Sequence, residues 1–300
     1  MRECALVTMT ISIRGPLFAL ATSDRFERAV RTAPGGDAFA YRLASRYLAG
    51  RTVEDAFATA RRLAGEGFLA SIDFFGERVT DPHEADQVAD AYVSLAARLG
   101  DAPTGTYLSV DLSHLALKGP DAGVRERLER IAAALPAGAR IQVGAEEAAR
   151  AERILETVLA VARGGGAVAA TLQANLRRSQ RDGLALAQAG VPIRLVKGAY
   201  VEPPSLAYRW GDATEIAFAE LAHMLHRAGA EVSLATHDPV LREALLPAMP
   251  GVGVEMLLGV RPDDQVALAA RGVPVRVYMP YGDAWFRYAM RRLAESRGVR

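Results

Sequence analysis

Tyr288, Arg291, Arg292 and Glu295 stand at i, i+3, i+4 and i+7 in the segment Asp283 to Glu295 near the C-terminus. Wound as a helix, this segment brings all four onto one face. Phe286, Ala289, Met290 and Leu293 fall on the other face, where they can pack against a core. Asp283, just after Gly282, is positioned to cap the helix. Two adjacent guanidiniums and a phenol on one stripe suit a small carboxylate, because each Arg offers a planar, bidentate fork. The same stripe also reads as a solvated helix face; the segment alone does not choose.

Two more groups could do chemistry. Arg194 and Lys197 lie in Ile-Arg-Leu-Val-Lys-Gly-Ala-Tyr, 193–200. On a strand, alternation sends Ile193 and Leu195 to one face and Arg194 with Val196 to the other. An Arg inside an apolar run is costly without an anionic or strongly polar partner. Either Asp73 or Asp111 pairs with it, or it faces an electron-rich cofactor. In Thr236-His237-Asp238 the imidazole suits a general base, a metal ligand or a positioning donor. The other histidines, His83, His114, His223 and His226, do not fall at comparable strand ends, so a His-rich metal centre has little support and no metal site is expected. The chain has no Gly-x-Ser-x-Gly elbow, which disfavours a Ser-His-Asp hydrolase.

These residues need a scaffold, and the pattern supplies one. Helical spacing marks 24–31, 37–48 and 53–66. Eight short apolar runs follow, at 68–74, 106–112, 140–143, 167–172, 193–196, 231–235, 252–257 and 273–278. Helical stretches separate them, and Gly190, Gly229 and Gly272 each close a helix just before the next run. Strand–helix alternation implies parallel strands, and eight units make a closed (βα)8 barrel. A doubly wound sheet is the runner-up, but no Gly-x-Gly-x-x-Gly follows an early strand. The expected organisation is a helical arm, 1–66, packed on a barrel, 67–300, as one structural domain. Barrel chemistry belongs at the strand C-terminal ends. Those ends carry Asp73, Asp111, Gly144, Gln173, Arg194 with Lys197 and Tyr200, the Thr236–Asp238 triplet, Leu257 and Tyr278.

Composition narrows the class further. With 36 basic and 35 acidic residues the net charge is +1, which gives no nucleic-acid footprint. The lone Cys4 excludes an intrachain disulfide and points to an intracellular protein. The apolar segment 5–21 is interrupted by Arg14 and is too short to span a membrane, and Met1-Arg2-Glu3 makes a poor signal-peptide start.

Three segments in order, Arg194–Tyr200, Ala235–Asp238, and Tyr278–Gly282 leading into Tyr288–Glu295, resemble the proline dehydrogenase family. Phe74-Phe75-Gly76-Glu77 and Leu258-Gly259-Val260-Arg261-Pro262 fit the same pattern, so the resemblance runs from about residue 68 to the C-terminus. It implies a distorted (βα)8 barrel with FAD across its mouth and the last helix over the strand ends, in a stand-alone bacterial-type enzyme. It also implies oxidation of L-proline to pyrroline-5-carboxylate, with hydride passing from the substrate Cα–N unit to flavin N5. Electrons would then go to a quinone, met at the inner face of the membrane by an otherwise cytoplasmic protein. By the same resemblance Arg291 and Arg292 clamp the substrate carboxylate, while Tyr278, Tyr288, Leu257 and Tyr200 line the pocket. Arg194 lies by the flavin's reactive edge and Gln173 bonds the flavin. Lys197, Gly198, Ala199, Thr236, His237 and Asp238 hold the rest of the cofactor, and Glu295 anchors the cofactor or the last helix.

Two positions depart from the family. Where it has a Lys at the end of strand two, this chain has Asp111; where it has an Asp at the end of strand three, this chain has Gly144. Either the carboxylate has moved one strand over, to face the amine as a catalytic Asp111, or the substrate is another cyclic or N-substituted amino acid, or the site binds flavin and turns proline over poorly. In Tyr208-Arg209-Trp210 a family Lys near the cofactor is also missing. Two rivals come from other classes: a non-catalytic flavin or amino-acid binder on the same barrel, and a metal-dependent lyase or hydrolase centred on His237 and Asp238.

Overall fold

The computed structural model describes residues 23–76, 79–117 and 123–296, with Asp24 and 294–296 as backbone only. Glu77, the apolar segment 5–21 and the Glu295 side chain lie outside that description.

Three helices come first: α1 (Asp24–Thr32), α2 (Gly36–Ala44) and α3 (Val53–Gly65). Strands and helices then alternate: β1 (Leu69–Phe74), α4 (Pro82–Ala97), β2 (Tyr107–Val110), α5 (Gly123–Ala133), β3 (Ile141–Val143), α6 (Ala148–Arg163), β4 (Val168–Gln173), α7 (Ser179–Gln188) and β5 (Ile193–Val196). The second half runs α8 (Asp212–Arg227), β6 (Val232–Ala235), α9 (Pro239–Leu245), β7 (Gly253–Leu257), α10 (Pro262–Ala270), β8 (Val275–Tyr281) and α11 (Trp285–Ser296). All eight strands are parallel and close in the order β1 to β8.

Each expected strand forms, with shifted edges. β8 extends to Tyr281 because it pairs β1 from Leu69↔Arg276 to Phe74↔Tyr281. Pro280 fits because its carbonyl accepts the Ala49 amide at 2.8 Å, and the strand needs no donor from it. Helix α6 starts only at Ala148, since Glu146 is held in the loop: its carbonyl accepts from Gln173 Nε2 at 2.8 Å. The last helix begins one residue later than a cap at Asp283 requires; the Asp283 carbonyl instead accepts from Arg31.

The two faces of the barrel wall differ sharply. Outward residues such as Ile72, Leu108, Ile141, Leu195, Leu234, Val254 and Val277 are buried against the helices and form the core. The inward face is polar. Ser71 and Ser109 hydroxyls pair at 2.7 Å, and Gln142 Nε2 donates to Thr171 Oγ1 at 3.1 Å. At the strand N-terminal ends, Arg276 covers the Tyr107 ring at 3.5 Å and donates to the Ala70 and Gly105 carbonyls at 2.7 and 2.6 Å.

Helix α3 packs on β1 and β8, with Ala56, Phe57, Ala60 and Leu63 in the main core. It takes the slot that a helix following β8 would fill, which releases α11 to lie over the mouth. Capping explains its firm start: Thr52 and Asp55 form a reciprocal box. Trp285, Phe286 and Ala289 of α11 pack on Ala40, Ala44 and Leu48, and Tyr41 meets Trp285 edge-on at 5.2 Å. Arg51 stacks over Tyr41 at 4.4 Å and pairs with Asp37. The N-terminal helices are thus the seat of the last one.

Candidate active site

The mouth is assembled from α11 and the C-terminal ends of the strands. Tyr288 approaches Tyr278 of β8 at 6.3 Å between ring centres and Phe75, just past β1, at 5.4 Å. The Arg292 guanidinium lies 5.4 Å from the Tyr288 ring, and its charge acts on His237 beyond β6. Arg291 is half-buried, and its Nε has no hydrogen-bond partner among the described residues. A buried, unbonded donor at a pocket mouth favours an anionic visitor. The stripe is therefore no plain solvated face: it closes over aromatic rings.

Arg194 points into the barrel, 6.0 Å from the Tyr278 ring. Its partner is neither Asp73 nor Asp111, as the sequence suggests. Nε and Nη2 instead grip Oε2 of Glu255, on β7, at 2.7 and 2.6 Å, and Nη2 also reaches Ser71 at 3.2 Å. Burial pushes the Glu255 carboxyl up, but the Arg194 charge, the Arg194 and Ser233 hydrogen bonds and the Arg276 charge hold it below the usual range. Glu255 was legible by the same sign as Arg194, a lone charge inside the apolar run Val254-Glu255-Met256-Leu257.

Asp73 accepts the Tyr278 hydroxyl at 2.6 Å. Burial raises its carboxyl to about 7, against the pull of that bond and of Arg194. A folded value above the unfolded one means that this contribution to stability is present below about pH 3.8 and is lost as pH rises through about 7. Asp73→Asn cannot ionise, so its Tm relative to wild type is expected to climb between pH 5 and pH 8 in calorimetry; parallel curves would refute this.

His237 is committed. Its Nε2 accepts the Leu257 amide at 3.0 Å, which leaves the proton on Nδ1. Burial, with the charges of Arg292, Arg242 and Arg261, lowers its pKa to about 4, so the ring is neutral at pH 7. With Nε2 occupied, the ring presents an Nδ1–H donor to its surroundings. Asp238 caps α9 through Val240 and Leu241, and its other oxygen accepts from Lys197 at 2.7 Å. Lys197 also reaches Glu215 at 2.9 Å. Among the described residues no three His, Cys, Asp or Glu side chains gather as a metal site requires. His114, set aside in the sequence, packs beneath the mouth: it meets Phe74 at 5.6 Å and bonds Tyr92 at 3.1 Å.

Other expected residues are placed less centrally. Gln173 is buried and gives one Nε2 hydrogen to the Glu146 carbonyl, which leaves its Oε1 and the second Nε2 hydrogen for a ligand. Tyr200 acts electrostatically on Arg150 at the start of α6. Leu257 is held by His237 and by Gln265, which donates to its carbonyl at 3.0 Å. Ala199 is exposed. Asn175, missed in the sequence, joins β4 to β5: its amide donates to the Lys197 carbonyl at 2.9 Å. Its Oδ1 is buried without a partner among the described residues and presses on Gly198, where any Cβ would collide with it.

Fold and mouth together define a (βα)8-barrel enzyme whose last helix brings Tyr288 and Arg292 to the strand ends that carry Tyr278 and His237. The proline dehydrogenase family model matches residues 56–300. The chain is 32% identical over 269 residues to "Proline dehydrogenase" of Deinococcus radiodurans, covering 85% of this chain and 87% of that one. It is 31% identical over 261 residues to "Proline dehydrogenase 1" of Bacillus subtilis strain 168, covering 84% and 86%. Among solved structures it is similar to proline utilization A from Bdellovibrio bacteriovorus inactivated by N-propargylglycine, with TM-score 0.76 and 18% identity over 93% of this chain. The chain spans 36% of that larger protein, and the likeness speaks for the fold. This chain belongs to the proline dehydrogenase family.

Membership implies a flavin, and the β4–β5 junction fits one. The partnerless Asn175 oxygen against the bare Gly198 backbone is a place for a donor from a bound group. No helix among the described residues is long and apolar enough to cross a membrane.

Proposed function

We propose that this chain oxidises L-proline to pyrroline-5-carboxylate, with FAD as its flavin and a quinone, met by a cytoplasmic protein at the inner membrane face, as electron acceptor. The observation that carries this reading is the α11 stripe at the mouth of a family barrel: Tyr288 meets Tyr278, Arg292 lies over the Tyr288 ring, and Arg291 is half-buried on the same stripe with an unbonded Nε among the described residues.

Bound flavin supplies the two-electron acceptor. The protein supplies position. The paired guanidiniums bind the carboxylate and so fix the ring's orientation. Tyr278 and Tyr288 wall the ring and exclude water. The product's double bond joins nitrogen to Cδ, so the hydride leaves Cδ rather than the Cα–N unit expected from the sequence. Arg194, pinned by Glu255, would offer a fixed positive charge beside the cofactor. Gln173 Oε1 would accept from the flavin, and His237 Nδ1 would donate to it. Gly198, Ala199 and Thr236 would give backbone and hydroxyl contacts, with Lys197 and Asp238 holding each other in place.

The test is an anaerobic titration of purified protein. Yellow protein whose flavin absorbance bleaches with L-proline is the expected result. Extraction of FMN instead of FAD would overturn the cofactor assignment, and bleaching only by other cyclic or N-substituted amino acids would overturn the substrate. Failure of a membrane-soluble quinone to reoxidise the flavin would remove the acceptor.

A further inference from the structure

Asp111 stands just before the 3-10 turn Leu112–Leu115, where an Asp ordinarily accepts the first free amides. Its side chain makes no such bond. The Ser113 amide donates instead to Oε1 of Glu146, 2.7 Å away, from the loop after β3. The Asp111 carboxylate lies over the neighbouring strand: a Cβ added to Gly144 would fall almost on its Oδ1. β2 and β3 are paired with Val110 opposite Val143, and the Gly144 amide donates to the Val110 carbonyl at 2.9 Å. Ser109 and Gln142, two residues earlier, face the interior. The strand period therefore sends Asp111 and position 144 inward as well, one layer nearer the mouth. One inward place is shared by two positions, and Asp111 fills it from β2.

The charges around this place are arranged for a zwitterion. The cations are Arg291 and Arg292 on α11 and Arg194 on β5, the last paired with Glu255; the other acids are Asp73 on β1 and Asp111. Asp73 is engaged by Tyr278. The field of Asp111 reaches Tyr278, the wall of the ring pocket, and Tyr92 of α4. Arg292 acts at the end of β6, and β2 lies four strands round the barrel, on the far side.

We propose that Asp111, in the space that Gly144 leaves open, binds the ring nitrogen of the substrate and takes its proton. This rests on the amino-acid oxidation proposed above. The ring ammonium gives one proton to the Asp111 carboxylate, and the freed lone pair becomes the second bond of C=N. The Cδ–H electron pair leaves as hydride to the flavin, and the product is the protonated imine.

The holoenzyme, followed by flavin absorbance without oxygen, is titrated with L-proline and with cyclopentanecarboxylate, which keeps ring and acid but has no nitrogen. Asp111→Asn is expected to weaken proline binding about 30-fold, with cyclopentanecarboxylate bound as well as before or better. The transposed variant, Asp111→Gly with Gly144→Asp, should recover most of the proline affinity, because its carboxylate enters the same space. Gly144→Asp alone, with two acids in one place, should not. Equal losses for both ligands in Asp111→Asn, or unchanged proline binding, overturn the proposal. If wild type binds both ligands but proline does not bleach the flavin, the oxidation reading fails while the contrast between ligands still decides for or against Asp111.

Discussion

Arg292→Ala is expected to lower kcat/KM for proline by about 10²- to 10³-fold, and the Arg291→Ala, Arg292→Ala double variant further. In the proposed function each guanidinium would contribute charge-assisted, paired hydrogen bonds to the substrate carboxylate, and truncation would leave that carboxylate short of partners. The carboxylate keeps its charge throughout the reaction, so the loss should appear mainly in KM. Arg→Lys keeps the charge but loses the planar fork and should recover only part of the affinity. Thermal stability should hardly move, because α11 is anchored by Trp285, Phe286 and Ala289 rather than by the arginines. Steady-state dye reduction with a Tm for each variant checks both halves. Wild-type KM in the double variant would show that the stripe does not bind substrate.

Glu255→Ala is expected to be the most damaging single change to the fold. It leaves the Arg194 guanidinium in the barrel interior with Ser71, at 3.2 Å, as its only side-chain hydrogen-bond partner among the described residues. Removing one member of a buried ion pair costs about 3–5 kcal/mol, which in a chain of this size lowers Tm on the order of 10 °C. Replacing both charges with Leu should regain most of that stability, since a buried pair rarely outperforms well-packed apolar side chains. It should not regain proline oxidation. That separation, read by calorimetry beside dye reduction, would show that the pair is kept for the flavin rather than for the fold. A stable Glu255→Ala protein would contradict the pairing.

These expectations draw unevenly on the primary structure. The eight strands, most helix bounds and the α11 stripe were legible because strand and helix periods and C′ glycines are local signals. Arg194 announced itself as a charge in an apolar run, yet its partner could not be read from the candidates at strand ends. Glu255 lies deeper in its strand and 61 residues away in sequence. Asp238 and Lys197 stood in the sequence as residues the resemblance assigns to the cofactor; that one caps a helix and the two share an ion-pair cluster with Glu215 came from the fold.

By itself, then, the sequence determined that this is a barrel with a basic last helix, and through its motifs it determined the family. Only the tertiary structure decided which inward side chains meet. It seated α11 on the N-terminal helices, with α3 in the slot beside β8, and joined Arg194 to Glu255 two strands along and to Ser71 across the barrel. It also laid the Asp111 carboxylate where Gly144 has no side chain. The reason is physical: alternation tells each strand which side chains face in, but closure of the sheet sets which strands stand opposite, and no local period in the chain encodes that.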